Sequence, residues 1–191
     1  MYRIYETEGV IISSRDKGET SRDFKILTHN FGVIFASAQG VRRFNSKLKS
    51  FLVSFKPVRF FLVRGRETWR IVNVMEIEGH RLGVSERSHV VRPLSLISKL
   101  VQGEEPEPRL YCIIKELYAA LPTMKDVEQS LAEELASLRI MFILGYIRVP
   151  ESFGSLIQSL SFSDEVIAQF VPLRREAIVL VNEALRVSHL S

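Results

Sequence analysis

The residues of this sequence that are best suited to chemistry are a group of cations after an apolar run. Arg42, Arg43, Lys47 and Lys49 fall within eight residues, following the run that ends at Val41. Folding seldom requires so many cations in one connection. Binding to a polyanion is one reason to place them there, because cations near a phosphate backbone release its condensed counterions and thereby favour association. The spacing therefore predicts a nucleic-acid-binding loop, and the alternative is a solvated turn that keeps the protein soluble.

An aromatic residue and further cations around this loop extend the predicted surface. Phe44, inside the loop, is a candidate for stacking on a base, a contact worth about 1–3 kcal/mol, and a core position is the alternative. Phenylalanines in strand-like runs are mostly expected in a core: Phe31, Phe35, Phe55, Phe60 and Phe61. The remaining cations of the predicted groove lie near neighbouring turns: Arg15, Lys17, Arg22, Lys25, Arg64 and Arg66.

The two halves of the chain differ in charge. Residues 1–80 carry 14 Lys and Arg against 8 Asp and Glu, a net charge of +6, whereas residues 81–191 carry 12 against 14, a net charge of −2. A basic half next to a mildly acidic half is typical of a nucleic-acid-binding module joined to a protein-binding module. The same difference also arises by chance in two-domain proteins.

Motifs for catalysis or metal binding are absent from the sequence. The histidines at positions 29, 80, 89 and 189 lack metal-ligand spacing, and neither a P-loop nor a GxSxG motif is present. Cys112 is the single cysteine, which excludes an internal disulfide and a multi-cysteine zinc site. We therefore expect neither an enzyme nor a cofactor.

Targeting signals are also missing from the sequence. No apolar run approaches the roughly 18 residues that span a bilayer, and the charged N-terminus lacks a signal-peptide pattern. With one cysteine, the default expectation is a reducing, cytoplasmic setting without membrane contact.

Five strand-like runs in the first half predict a small β-barrel. Gly18 falls where a turn needs a positive φ, Gly40 where a barrel strand bends, and Pro57 near a strand start. Five strands with hairpin turns fit an OB-fold, which binds oligonucleotides on one face, and a small SH3-like barrel is the alternative. The predicted strands cover residues 8–15, 24–28, 33–41, 55–63 and 68–77.

In the second half the hydrophobic period becomes helical. Pro93 is expected in the first turn of a helix, and Thr123 with Asp126 has the spacing of a capping box before a long central helix. We therefore predict an α+β chain: an N-terminal five-stranded OB-fold β-barrel over residues 1–80, followed by a C-terminal α-helical bundle domain for protein interaction over 81–191. The predicted helices cover residues 93–101, 110–121, about 123–144, a short stretch after 163, and 173–190.

Three arginines of the second half are candidates for binding a partner. Arg139 stands alone in an apolar helix, where its bidentate guanidinium suits a partner's carboxylate. An intramolecular pair with Glu116 or Glu134, or a snorkelling side chain, is the favoured alternative. Two cations in a first helical turn oppose the helix dipole, which indicates a binding role for Arg174 and Arg175.

The order and spacing of several short motifs resemble the bacterial RecO family of recombination mediators in DNA repair. The resemblance covers about residues 5–147, and the Gly-x-Arg-Arg sequence at 40–43 is its most specific part. The other matching motifs are EGVIISSR at 8–15 with Gly-Glu at 18–19, HNFG at 29–32, Arg-Gly at 64–65, GEEPEP at 103–108, and the segments 138–139 and 144–146.

This resemblance implies a fold, an activity and partners. It implies an N-terminal OB-fold, binding to single- and double-stranded DNA, and annealing of complementary strands. It also implies partnership with RecR and with the acidic C-terminal tail of single-strand DNA-binding protein, and thereby loading of the RecA recombinase. Many members carry a four-cysteine zinc site after the segment that corresponds to residues 144–146. This chain has no cysteine there, so we expect no zinc.

The sequence therefore predicts a non-enzymatic, DNA-binding recombination mediator. Two alternatives remain open at this point: an OB-fold protein that binds RNA, and an interaction adaptor whose positive charge is incidental.

Overall fold

The structure of the chain, a computed structural model, describes residues 3–41, 52, 54–66, 68–77 and 82–187. Backbone contacts divide the chain into two compact units, which we call the barrel unit and the helical unit. The barrel unit comprises Met1–Gly79 and Val101–Tyr111, and the helical unit comprises His80–Leu100 and Cys112–Ser191. The barrel unit thus includes a segment beyond residue 80. The functions assigned to the two predicted domains stay predictions.

The barrel unit contains five strands that close on themselves in the order β1-β2-β3-β5-β4. Because β1 has 14 residues, its first half pairs with β4 and its second half pairs with β2. A short parallel pairing of β3 with β5 completes the ring. The predicted OB-fold barrel followed by helices is confirmed. The strands are β1 (Ile4–Lys17), β2 (Ser21–Thr28), β3 (Gly32–Ala38), β4 (Pro57–Arg64) and β5 (Trp69–Glu76).

Alternating side chains fill the barrel, since successive residues of a strand point to opposite faces. In β3, for example, Ile34 and Ala36 are buried while Phe35 between them is exposed. The inward residues form one hydrophobic core, with Tyr5 and Phe31 packed against it. The largest members of this core are Phe24, Phe60, Leu62 and Trp69.

Residues 101–111 pack against the barrel within the same unit. Gly32 has a φ of +67°, and a Cβ atom there would lie 2.3 Å from the Glu105 carbonyl oxygen, so only glycine fits this turn. The Trp69 indole nitrogen donates a hydrogen bond to Glu104 at 3.0 Å, and the Tyr111 hydroxyl donates one to Glu8 at 3.1 Å. These contacts fix the acidic segment on the barrel.

Several of the predicted strand boundaries were wrong, including the start of the second strand, which is Ser21 rather than residue 24. The first strand begins at Ile4 rather than at residue 8 and continues to Lys17, so the first turn is shorter than predicted. The third strand ends at Ala38, and Gly40, with a φ of +68°, lies in the following turn rather than inside a strand. Pro57 is the first residue of its strand, as predicted.

The helical unit is built from helices of unequal length. The longest, α3, is buried along much of its surface, which confirms its predicted central position. Within the described ranges, no helix is long and apolar enough to cross a membrane. The helices are α1 (Val84–Leu100), α2 (Pro108–Ala120), α3 (Asp126–Ile143), α4 (Gly154–Gln158), α5 (Asp164–Phe170) and α6 (Arg174–Val187). The first four residues of α2 belong to the barrel unit.

The helix starts depart from the prediction in two places. Helix α1 begins nine residues before Pro93, which lies inside the helix, because the burial of Val90, Leu94 and Ile97 outweighs the hydrogen bond that the proline cannot donate. Helix α3 is capped through Lys125, whose backbone N–H donates to the Glu128 carboxylate at 2.8 Å, rather than through the predicted Thr123 pair. Helix α4 was not predicted.

Candidate nucleic-acid interface

The outward side chains of β1, β2, β3 and β5 form one continuous surface of the barrel, which we call the basic face. Directly paired residues of neighbouring strands point to the same side of a sheet. The register pairs Arg15 with Asp23, Lys25 with Phe35, and Ser37 with both Asp23 and Arg70. The basic face consists of Ser13, Arg15, Lys17, Asp23, Lys25, Phe35, Ser37 and Arg70.

The basic face carries four cations and one carboxylate, a net charge of +3. Asp23 lies 3.3 Å from Lys17 and 3.6 Å from Arg15, so one acid is shared by two cations. The Arg15 side chain is nevertheless 84% exposed and that of Lys17 is 59% exposed. Exposed ion pairs contribute about 0–1 kcal/mol, so a phosphate group can readily exchange with Asp23.

Phe35 lies near the middle of this surface, and its side chain is 56% exposed. Phe35 is an exception to the expectation that most phenylalanines in strand-like runs lie in the core, because its two neighbours in β3 are the residues that point inward. The Lys25 ammonium lies 5.9 Å from the centre of its ring, an exposed cation–π contact of about 0.5–1 kcal/mol. Burial also lowers the pKa of Lys25 from its usual value.

Two open depressions lie on either side of the outward residues of β3. One, of about 550 Å³, is lined by Arg15, Lys25 and Phe35 among others. The second, of about 800 Å³, is lined by Ser37, Arg70 and the turn between β4 and β5. Both volumes are in the range of ligand-binding clefts. The positions also agree with those where OB-folds bind oligonucleotides, namely the β2–β3 face and the loops β1–β2 and β4–β5.

The structure brings only some of the predicted cations together. Arg66 is exposed in the β4–β5 turn and lines the same depression as Arg70. Arg22 points to the opposite side of β2 from Lys25 and donates a hydrogen bond to Asp16 at 2.8 Å. The central predicted residues, Arg42, Arg43, Phe44, Lys47 and Lys49, lie outside the described residues.

Arg64 is partly exposed to solvent, but it also contacts an acidic and an aromatic side chain of the barrel unit. Its guanidinium bonds to the Glu104 carboxylate and lies 4.6 Å from the centre of the Trp69 ring. Glu104 comes from the segment 101–111. A phosphate that binds Arg64 must therefore compete with this carboxylate.

Arg70 was missed by reasoning from the sequence. The alternation of Trp69 and Ile71, both buried, indicates that Arg70 points outward. Its place beside Ser37 depends on the parallel pairing of β3 with β5, which no local pattern reveals. The sequence pattern therefore indicated that Arg70 is exposed, but it did not indicate that Arg70 belongs to the basic face.

A second group of charged residues, on β1, in and just before β4 and at the end of β5, has a different charge arrangement, and we call it the paired face. Arg59 lies 3.4 Å from both Glu6 and Glu8, and Lys56 is paired with Glu76. Three carboxylates thus meet two cations, a net charge of −1. This surface offers no excess of positive charge to a polyanion.

Arg139 in the helical unit is fully buried. Its guanidinium donates hydrogen bonds to the backbone carbonyls of Leu156 at 2.8 Å and Ser161 at 3.0 Å, and it lies 4.7 Å from the ring centre of Phe162. Desolvation by burial lowers its pKa to about 10, so it stays cationic at neutral pH. The favoured alternative, an intramolecular pair with Glu116 or Glu134 or a snorkelling side chain, was wrong in both forms, because the guanidinium is buried on backbone carbonyls. The guanidinium also presents no exposed surface to a partner in this fold.

Arg174 and Arg175, the other two partner candidates, differ from each other. Arg174 forms a two-pronged contact with Glu134, with both N–O distances at 2.7 Å, and this contact raises its pKa. The contact joins α3 to α6. Arg175 is exposed. A partner-binding role stays a prediction for both residues.

The described part of the chain contains no candidate metal-binding site. Among those residues, no three His, Cys, Asp or Glu side chains come together in a way that could hold a metal ion.

Comparisons with known proteins identify relatives of this chain. Residues 1–80 match the family described as "Recombination protein O N terminal". The DNA repair protein RecO of Rubrobacter xylanophilus is 26% identical over 148 residues, which cover 75% of this chain and 58% of the relative. The DNA repair protein RecO of Myxococcus xanthus is 27% identical over 139 residues, covering 70% and 57%. The chain thus spans a little over half the length of these curated relatives. The resemblance predicted from the sequence motifs is confirmed.

Proposed function

We propose that this chain acts as a RecO-type protein in DNA repair and recombination by binding DNA on the basic face, because its residues 1–80 match the N-terminal family of recombination protein O. The observation that supports the proposal is the excess of cations on one outer surface of the barrel, at the position where OB-folds bind oligonucleotides. The function needs no catalytic group, because a mediator acts by holding strands and proteins together.

The physical mechanism is neutralisation of phosphate charge. Each phosphate contact on a single strand releases counterions and contributes about 0.7 to the slope of log affinity against log salt. Lys17, Lys25 and Arg70 supply such contacts from three different strands. A surface that neutralises two strands at once lowers the repulsion that opposes their annealing, so strand annealing is part of the proposal.

The partners implied by the family belong to the same proposal. We propose that RecR and the acidic C-terminal tail of single-strand DNA-binding protein bind this chain, and that RecA is loaded indirectly through this assembly. The exposed Arg175 is the candidate contact for an acidic segment in the helical unit.

The test uses the full chain and a matched pair of double variants. Lys17→Gln with Arg70→Gln removes two cations from the basic face, and Lys56→Gln with Arg59→Gln removes two from the paired face. Both variants change the net charge by the same amount. We expect the first to weaken binding to single-stranded DNA by at least tenfold at low salt and to reduce the salt slope by about 1.4. The second should bind within about twofold of the parent, since its cations are already paired.

Equal losses in the two variants would show that only net charge matters and would overturn the assignment of the basic face. Competition between DNA and RNA oligomers of the same sequence separates DNA binding from the RNA-binding alternative. Absence of any binding to oligonucleotides at low salt would favour the adaptor alternative.

A further inference from the structure

We propose that Phe35 is a base-stacking platform, so that the basic face binds an unpaired nucleotide through its base as well as through its phosphates. This inference rests on the proposed function and deepens it, because it assigns to the site the chemistry that distinguishes single strands from duplexes.

The position of the ring is unusual for its residue type. Phe35 is more than half exposed, although its neighbours Ile34 and Ala36 are completely or almost completely buried. A large aromatic side chain on a solvated outer face contributes little to the core of the barrel. Exposure of a single apolar residue needs no explanation by itself. A flat apolar ring surrounded by cations, however, suits a nucleobase attached to a phosphate backbone.

The surroundings supply the phosphate contacts at suitable distances. Phe35 is directly opposite Lys25 on β2, while Ser37, two residues further along β3, is directly opposite Arg70 on β5. Neighbouring strands are about 4.8 Å apart, so the outward residues of β1, β2, β3 and β5 span about 14 Å. This width accommodates a short stretch of single strand that crosses the sheet.

The cation–π contact between Lys25 and Phe35 does not block the ring. An exposed contact of this kind is weaker than the stacking of a base on an aromatic ring. A base that stacks on Phe35 can therefore displace the Lys25 ammonium. The displaced ammonium can then bind the phosphate of the same nucleotide, so that Phe35 contacts the base and Lys25 contacts the phosphate.

Stacking also predicts a preference among nucleic acids. In a duplex both faces of every base pair are already stacked on neighbours, so the ring gains a base only where the strand is unpaired. The electrostatic contacts of Lys17 and Arg70 are made with either form. Phe35 should thus contribute to single-strand affinity alone.

The experiment compares three probes on the full chain: an oligothymidylate, an oligomer of the same length made of abasic nucleotides, and a duplex. Phe35→Ala should weaken oligothymidylate binding about tenfold, the loss that corresponds to one stacked base. Binding of the abasic oligomer and of the duplex should change less than twofold. Met75→Ala is the matched control, because Met75 is 50% exposed and pairs with Arg59 on the paired face.

Phe35→Trp supplies a second measurement and a rescue. It should restore the affinity for oligothymidylate, and its exposed indole should lose fluorescence when a base stacks on it but not when the abasic oligomer binds. The natural Trp69 is buried but lines the depression beside Arg70, so its own fluorescence change is measured in the parent protein with each probe and subtracted.

The outcomes separate this inference from the proposed function. If Phe35→Ala binds oligothymidylate like the parent while the Lys17 and Arg70 double variant does not, stacking is wrong and the phosphate-binding function stands. Equal weakening of all three probes by Phe35→Ala would mean that the ring supports the fold, which also overturns the inference. If neither variant changes binding, both proposals fail.

Discussion

The barrel unit and the helical unit use their cations in opposite ways. On the basic face, Arg15 and Lys17 share one carboxylate and remain largely exposed to solvent. In the helical unit, Arg139 is buried on two backbone carbonyls and Arg174 is held by Glu134. The first arrangement leaves positive charge available to a ligand, whereas in the second the cations are already bound by other groups of the protein. An arginine in an apolar helix is therefore weaker support for a partner site than a lysine beside an exposed ring.

Arg139→Met tests the buried arginine of the helical unit, and we expect it to have the largest effect on stability. The substitution leaves the carbonyls of Leu156 and Ser161 without their donor, at about 1–3 kcal/mol for each buried group, while it relieves the desolvation of the guanidinium. We expect the free energy of unfolding to fall by about 2–4 kcal/mol in urea denaturation. Affinity for DNA should not change.

Arg175→Met is the matched control for this experiment, since it makes the same chemical change at an exposed position. It should alter stability by less than about 0.5 kcal/mol. If Arg139→Met is as stable as the control, the carbonyl contacts do not hold the connection between α4 and α5 in place, and the guanidinium has another role.

Arg174→Gln tests the paired arginine and should have a smaller effect. The guanidinium is 45% exposed, so solvent screens its contact with Glu134. The expected loss is no more than about 1 kcal/mol in the free energy of unfolding, and it should shrink as salt is added. A loss of several kcal/mol that is independent of salt would show that this contact behaves like a buried one.

Glu104→Gln tests the barrel and should have the smallest effect. The change removes the charge that holds Arg64, while the amide oxygen can still accept the hydrogen bond from Trp69. We expect DNA affinity at low salt to rise about twofold to threefold, as for the release of one exposed ion pair. The measurement is an oligonucleotide titration over a range of salt concentrations.

Glu107→Gln controls for the charge change in this last experiment. It lies in the same segment, but its carboxylate pairs with Arg109, and that contact lowers the pKa of Glu107. An equal rise in affinity in both variants would assign the effect to net charge rather than to the release of Arg64.

Much of the barrel was predictable because its signals are local. Alternation of apolar and polar residues in two runs, and β-prone apolar runs in the other three, located the five strands, and Gly18 and Pro57 marked a turn and a strand start. The start of α1 was not predictable in the same way. Pro93 is typical of a first helical turn, and only the packing of Val90 and Leu94 shows that the helix continues through it.

The candidate site was less predictable than the fold. Phe35 lies in an apolar run, VIFASA, in which either set of alternate residues could have faced the core. Arg22 and Lys25 are three positions apart in one strand, which places them on opposite sides. Grouping them from sequence proximity joined two surfaces that the barrel separates.

The sequence by itself determined that this chain forms a small barrel followed by helices, and that positive charge is concentrated in its first half. Those properties depend on residue types and on spacings of a few positions, so they are visible without a structure. Only the tertiary structure decided which cations share a surface with Phe35, and that Arg139 is buried. The first relation depends on strand register and on the pairing of β3 with β5, which are more than 30 residues apart in the chain. The burial of Arg139 depends on its contacts with the carbonyls of Leu156 and Ser161, which lie 17 and 22 residues further along the chain.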